Sequence, residues 1–151
     1  NDVVPADVGL GLLIFDNRGT HERVPLGKNN RDLILQEIAK MQGGGGTPLS
    51  DSIIVATKAL ANQHAKQLEY GKFYIVVATD GQADVSEGVR YAAHNKISII
   101  TIGFCLGKTH PLAEHSVSYR NTQDPSQLFE ALKETQAESS YYDSTQFNEK
   151  K

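Results

Sequence analysis

Phe73-Tyr74-Ile75-Val76-Val77-Ala78-Thr79 is a continuous run of strand-forming residues that stops on Asp80-Gly81. It is the clearest strand in the chain. Upstream, Gly43-Gly44-Gly45-Gly46 leads into Thr47-Pro48-Leu49-Ser50-Asp51-Ser52, where Pro48 fits the first position of a helix. The two stretches set a hydroxyl at a helix start and a carboxylate at a strand end. These are the oxygen ligand types that a hard divalent cation selects. Two oxygens do not complete a cation site, so the remaining ligands have to come from elsewhere.

Other elements extend outward from this pair. Val8 to Phe15 is apolar nearly throughout, which suits a strand covered on both faces, and Asp16-Asn17-Arg18-Gly19 turns the chain. His21 to Leu26 alternates as an edge strand does, with Pro25 marking its end. Asn29 or Asn30 can cap a helix carrying Leu33, Ile34, Ile38 and Met41 at helical spacing, stopped by Gly43. The helix after Pro48 has Leu49, Ile53, Val55, Ala56 and Leu60 on its apolar side and runs to about Gln67. A short helix follows over Ser86 to Asn95, and a strand over Ile97 to Phe104. Pro111 to His115 is read as a helical turn, Val117 to Arg120 as a last short strand, and Asp124-Pro125-Ser126 as the cap of a final helix to about Gln136. Residues 138–151 read as a polar tail or linker.

Strands alternating with helices predict an α/β fold: a doubly wound, mostly parallel sheet with helices on both faces and one antiparallel edge strand. Ligands in such sheets bind beyond the carboxyl ends of the strands, where strand order reverses. Asp80 lies at one such end. At 151 residues the chain fits one domain large enough to bury a core. Its net charge of −3 and the lack of a Lys/Arg cluster argue against nucleic acid as a partner. No apolar run approaches the roughly twenty residues of a membrane span, and Asn1 opens no charged-then-apolar leader. The single cysteine, Cys105, rules out an internal disulfide and reads as a core thiol at a strand end.

The same residues bear on other chemistries. The glycine run lacks the Gly-Lys-Ser/Thr ending of a phosphate loop and has no strand directly before it. Four glycines in a row cost about 0.5–1 kcal/mol each relative to alanine. That cost suggests a loop that must approach something closely or move. A magnesium-dependent phosphoester hydrolase would need further carboxylates around Asp80; Asp84 is near in sequence but reads as the cap of the next helix. His110 and His115 do not have the spacing of a helical zinc pair and read as loop or solvated histidines. Ser50 and Ser52 read as capping or surface hydroxyls.

The order of these elements resembles the von Willebrand factor type A domain. The resemblance rests on V-G-L-G-L-L-I-F, G-G-G-G-T-P-L-S-D-S-I and Y-I-V-V-A-T-D-G, then I-S-I-I-T-I-G-F and the late Y-R-N-T-Q-D-P-S-Q-L-F-E-A-L. It covers about Asp7 to Ala137, within a domain taken as residues 1–137, and the wording is most similar to bacterial stand-alone members. The resemblance implies a metal ion-dependent adhesion site in which Thr47 supplies a hydroxyl and Asp80 a carboxylate, often through a water. Gly45, Gly46 and Gly81 would form the site loops. The implied ion is Mg²⁺, with Mn²⁺ or Ca²⁺ as alternatives, held weakly or not at all by this fragment alone. The implied role is a non-catalytic protein-binding module whose partner presents an Asp or Glu to the metal. Alternatives are a structural or assembly domain with a decayed metal site, and the hydrolase.

One departure from the family stands out. Its first strand, ending in Asp-x-Ser-x-Ser, has no counterpart in this sequence. In the resembled fold that strand lies between Val8–Phe15 and Phe73–Thr79. Unpaired buried backbone groups cost about 1–3 kcal/mol each, against a total domain stability of about 5–15 kcal/mol. The expectation is therefore a C-terminal portion of a longer domain, whose first strand comes from upstream sequence or from another chain.

Overall fold

The computed structural model describes residues 9–41, 46–66, 72–104 and 109–123. Its elements follow the predicted order. Strands β1 (Leu10–Asp16) and β2 (Gly19–Gly27) come first, then helices α1 (Arg31–Ala39) and α2 (Leu49–Lys66). Strand β3 (Tyr74–Thr79), helix α3 (Ser86–His94) and strand β4 (Ser98–Phe104) follow, and a 3₁₀ turn at Pro111–Glu114 leads into β5 (Ser118–Thr122). Cys105, Gly43 to Gly45, the final helix after Asp124 and the 138–151 tail lie outside the described residues.

The strands form two hydrogen-bonded sheets. In one, β1 and β2 pair antiparallel from Leu10 opposite Gly27 to Asp16 opposite Gly19. In the other, β3, β4 and β5 are parallel in that order, with Thr79 opposite Gly103 and Gly103 opposite Asn121. The predicted α/β class, parallel strands and antiparallel edge strand are all present. The strand predicted to end near Pro25 continues to Gly27, because among the described residues β2 is paired on one side only and a proline on an edge strand need not donate a ladder bond.

Helix α2 bridges the two sheets. Leu49 and Ile53 are buried in a core with Ile75, Val77, Val85, Ala92, Ile97, Ile99 and Leu112, and Phe15 of β1 packs against the same cluster. Thr20 of β2 and Ser52 of α2 share a hydroxyl–hydroxyl hydrogen bond of 2.8 Å. Helix α3 closes tightly on α2 at Gly88, where an added Cβ would stand 2.6 Å from the Ser50 carbonyl oxygen and 3.0 Å from Ile53 Cβ. The Ser50 hydroxyl accepts the Gly88 N–H at 2.7 Å, which satisfies one of the free donors in the first turn of α3.

Burial divides the strands more sharply than their sequences suggest. Ile99 to Gly103 of β4 are buried in succession, as expected for a strand with neighbours on both sides. Along β3 burial alternates, with Ile75, Val77 and Thr79 inside and Val76 43% exposed. No residue of β1 is fully buried. The two-sided cover expected for β1 therefore fails, and β3 is covered on one face only in part. Among the described residues each has a single paired neighbour, so one edge and part of one face stay open.

Helix α1 is similarly open. It carries apolar residues at helical spacing, yet no α1 residue is buried, and Leu33, Ile38 and, just beyond the helix, Met41 are about half exposed. Asn30 precedes the helix without capping it through its side chain. Its amide donates instead to the carbonyls of Pro25 at 2.7 Å and Leu10 at 3.1 Å, tying the helix start to both strands of the first sheet. Val55, expected on the apolar side of α2, is also exposed.

Candidate metal-binding site

Three chain segments meet where the sequence predicted a ligand site. Thr47 precedes α2, and the Ser52 N–H and hydroxyl both donate to the Pro48 carbonyl, at 3.0 and 2.8 Å, which anchors the helix start. Just ahead, Gly46 lies against the β1–β2 turn, where an added Cβ would come within 3.6 Å of Asn17. From the other sheet comes Gly81. A Cβ there would lie 2.5 Å from Thr47 Oγ1 and 3.4 Å from Thr47 Cβ and Cγ2. The Thr47 hydroxyl thus fills the space that any side chain at position 81 would need. Gly81 does not have a positive φ, so steric closeness rather than backbone conformation is what calls for glycine here.

Asp80, between Thr79 and Gly81, is exposed at the end of β3. Its loop is held from inside. The buried Thr79 hydroxyl accepts the Gly81 N–H at 3.2 Å and reaches the Gly81 carbonyl at 3.4 Å. His110, 1% exposed, places Nε2 3.0 Å from that same carbonyl.

The structure accordingly brings Thr47, Gly46, Gly81 and the Asp80 loop to one sheet end, while Gly45 lies outside the described residues. The donor set suits a hard divalent cation in kind: a hydroxyl fixed against the loop that carries a carboxylate. No group of three His, Cys, Asp or Glu side chains is poised to hold a metal among the described residues. Further ligands would have to be waters, hydroxyls or groups from another segment.

Nearby carboxylates have other partners. Asp84 Oδ1 accepts the Ser86 hydroxyl at 2.7 Å and its N–H at 3.1 Å, so it satisfies the first donor of α3 from one residue outside the N-cap position, which Val85 holds. Those two bonds, the hydroxyl foremost, hold its carboxyl below the ordinary aspartate range. Asp16 accepts the Arg18 N–H at 2.7 Å and lies 3.2 Å from His21 Nε2. The backbone donor first and His21 second lower its pKa. Both carboxylates favour the charged form for local structural reasons.

Ser50 caps the first turn of α3 across the helix pair, in line with a capping role, whereas Ser52 is neither cap nor surface group: its buried hydroxyl bonds back to the Pro48 carbonyl and across to Thr20. His110 lies in the loop ahead of the 3₁₀ turn, matching the loop reading, but it is buried rather than solvated. Its partner Gly81 is 29 positions away in the chain, a separation that local spacing does not reveal. Asn17 was read only as part of a turn, and its closeness to Gly46 likewise depends on tertiary packing.

The sequence model of the von Willebrand factor type A domain matches residues 1–150. The chain belongs to this family. Von Willebrand factor type A domains commonly mediate protein interactions. Among solved structures, the chain is similar to an uncharacterized membrane-spanning protein from Vibrio fischeri, at 17% identity and a TM-score of 0.39. That match covers 85% of this chain and 75% of the other. No curated protein matches the chain. No helix among the described residues is long and apolar enough to cross a membrane.

Proposed function

We propose that this von Willebrand factor type A domain is a non-catalytic protein-binding module with a metal ion-dependent adhesion site at Thr47 and Asp80. The observation that carries the reading is the seat of the Thr47 hydroxyl against Gly81, beside Asp80, at the carboxyl end of β3. Thr47 presents its hydroxyl and Asp80 its carboxylate to Mg²⁺. When bound, the ion would supply a positive centre with exchangeable positions that a partner's Asp or Glu could fill. Gly46 and Gly81 keep side chains out of this approach.

The reading includes an additional strand between β1 and β3, provided by upstream sequence or by another chain. Two features support it: each of these strands has one paired neighbour among the described residues, and both retain partly open apolar side chains. Open ladder edges are where added strands dock.

Isothermal titration with Mg²⁺ and Mn²⁺ tests the reading, on this chain and on a version extended upstream. Saturable heat that disappears in Thr47→Ala and Asp80→Ala supports it, together with no turnover of phosphate esters. Magnesium-dependent ester hydrolysis lost in the same variants would replace it with the hydrolase. Absence of cation binding in both forms would favour an assembly domain with a decayed site.

A further inference from the structure

His110 is set by its partners into one tautomer. The Leu112 N–H donates to Nδ1 at 3.0 Å, so Nδ1 is an acceptor without a proton. The proton therefore resides on Nε2, which donates to the Gly81 carbonyl at 3.0 Å. The ring is a rigid two-ended connector: one end caps the 3₁₀ turn Pro111–Glu114, and the other grips the loop that bears Asp80.

The turn behind His110 is well anchored. The His110 N–H donates to the Tyr119 hydroxyl of β5 at 3.2 Å, and Leu112 is completely buried. The Ser116 hydroxyl donates to the Leu112 carbonyl at 2.8 Å and meets the Thr101 hydroxyl of β4 at 2.7 Å. The Val117 N–H reaches the Ile99 carbonyl at 2.8 Å. His110 thus connects a platform built on β4 and β5 to the mouth of β3, where Asp80 is otherwise exposed.

We infer that His110 is a positioning residue for the Asp80–Gly81 loop, acting through the Gly81 carbonyl rather than by touching metal or partner. The inference rests on the proposed metal site for its purpose, but its structural content is the fixing of the loop and can be read without metal. Groups behind metal ligands commonly set affinity through the geometry they impose.

Two conservative replacements separate the ends of the ring. Asn at 110 retains an acceptor near the Nδ1 position and loses the reach to Gly81. Gln retains a donor near the Nε2 position and loses the turn cap. The readouts are amide hydrogen exchange at Asp80, Gly81 and Gln82 in metal-free protein, the urea midpoint, and Mn²⁺ affinity by titration. His110→Asn is expected to speed exchange in this loop and weaken Mn²⁺ binding, each by about tenfold or more, while keeping most of the urea midpoint. His110→Gln is expected to lower the midpoint further, yet leave loop exchange and affinity within a few-fold of wild type. If both variants move all readouts in parallel, or if His110→Asn leaves the loop amides unchanged, the inference is overturned. If wild type binds no Mn²⁺, the functional reading fails, and the loop amides alone still decide the role of His110.

Discussion

Replacing Gly81 by alanine places a methyl group 2.5 Å from Thr47 Oγ1. Ordinary contact begins near 3.4 Å, a distance that Thr47 Cβ and Cγ2 already occupy around the same point. The hydroxyl cannot step aside without rotating Thr47 or shifting the loop, and overpacking of this kind costs about 1–3 kcal/mol. Removing the hydroxyl and Cγ2 together should remove most of that cost. In urea denaturation, Gly81→Ala should destabilise the Thr47 protein by about 1–3 kcal/mol. In a Thr47→Ala background the same change should cost well under half as much, giving a clear coupling energy in the double-mutant cycle. The cycle needs no metal and no partner. An unchanged cost of Gly81→Ala in the two backgrounds would refute the argument that Thr47 sits over Gly81. The same displacement matters for function, because Mg²⁺ requires its oxygens at about 2.0–2.1 Å in near-octahedral order.

Three further outcomes follow from the packing. Gly88→Ala should lower stability despite a helix-propensity gain of up to about 1 kcal/mol. The new Cβ would meet the Ser50 backbone at 2.6 Å and force α2 and α3 apart, so a midpoint equal to or above wild type would contradict the packing. Thr57 is completely buried in α2 and its hydroxyl has no hydrogen-bond partner among the described residues. Thr57→Val should therefore raise stability by about 1 kcal/mol in thermal or urea unfolding, whereas a clear loss would reveal a partner. Asp84 has a lowered pKa in the folded chain, so its contribution is present above the unfolded value and lost as pH falls through the folded one. Asp84→Ala should then lower the urea midpoint at pH 6 and make little difference near pH 2; an equal loss at both would remove the carboxylate from the account.

Local patterns made much of this fold legible. The continuous apolar runs identified the strands, and Pro48 with the following apolar spacing placed α2. The Asp-Gly ending of β3 and the Gly-Thr-Pro start of α2 stand out in the sequence as a candidate site because each feature is short-range. Features that depend on long-range packing were not readable. Apolar content in β1 and α1 could not reveal that both would remain partly open, since exposure depends on which neighbours are present. Asn30 followed the composition of a helix cap but spent its side chain on the carbonyls of Pro25 and Leu10. His110 offered no sequence signal, because a single histidine before a proline is common and its contact with Gly81 exists only once β3 and the turn before β5 are assembled.

The central claim is that Thr47 and Asp80 belong to one cation site. Paramagnetic broadening by substoichiometric Mn²⁺ in an assigned amide spectrum tests it most directly, using the upstream-extended chain if the shorter one binds too weakly. The account predicts that the amides of Gly46, Thr47, Asp80 and Gly81 vanish first, and that added Mg²⁺ restores them. Broadening centred instead on the β1–β2 surface that carries Glu22 and Arg23, or spread evenly over the molecule, would contradict it.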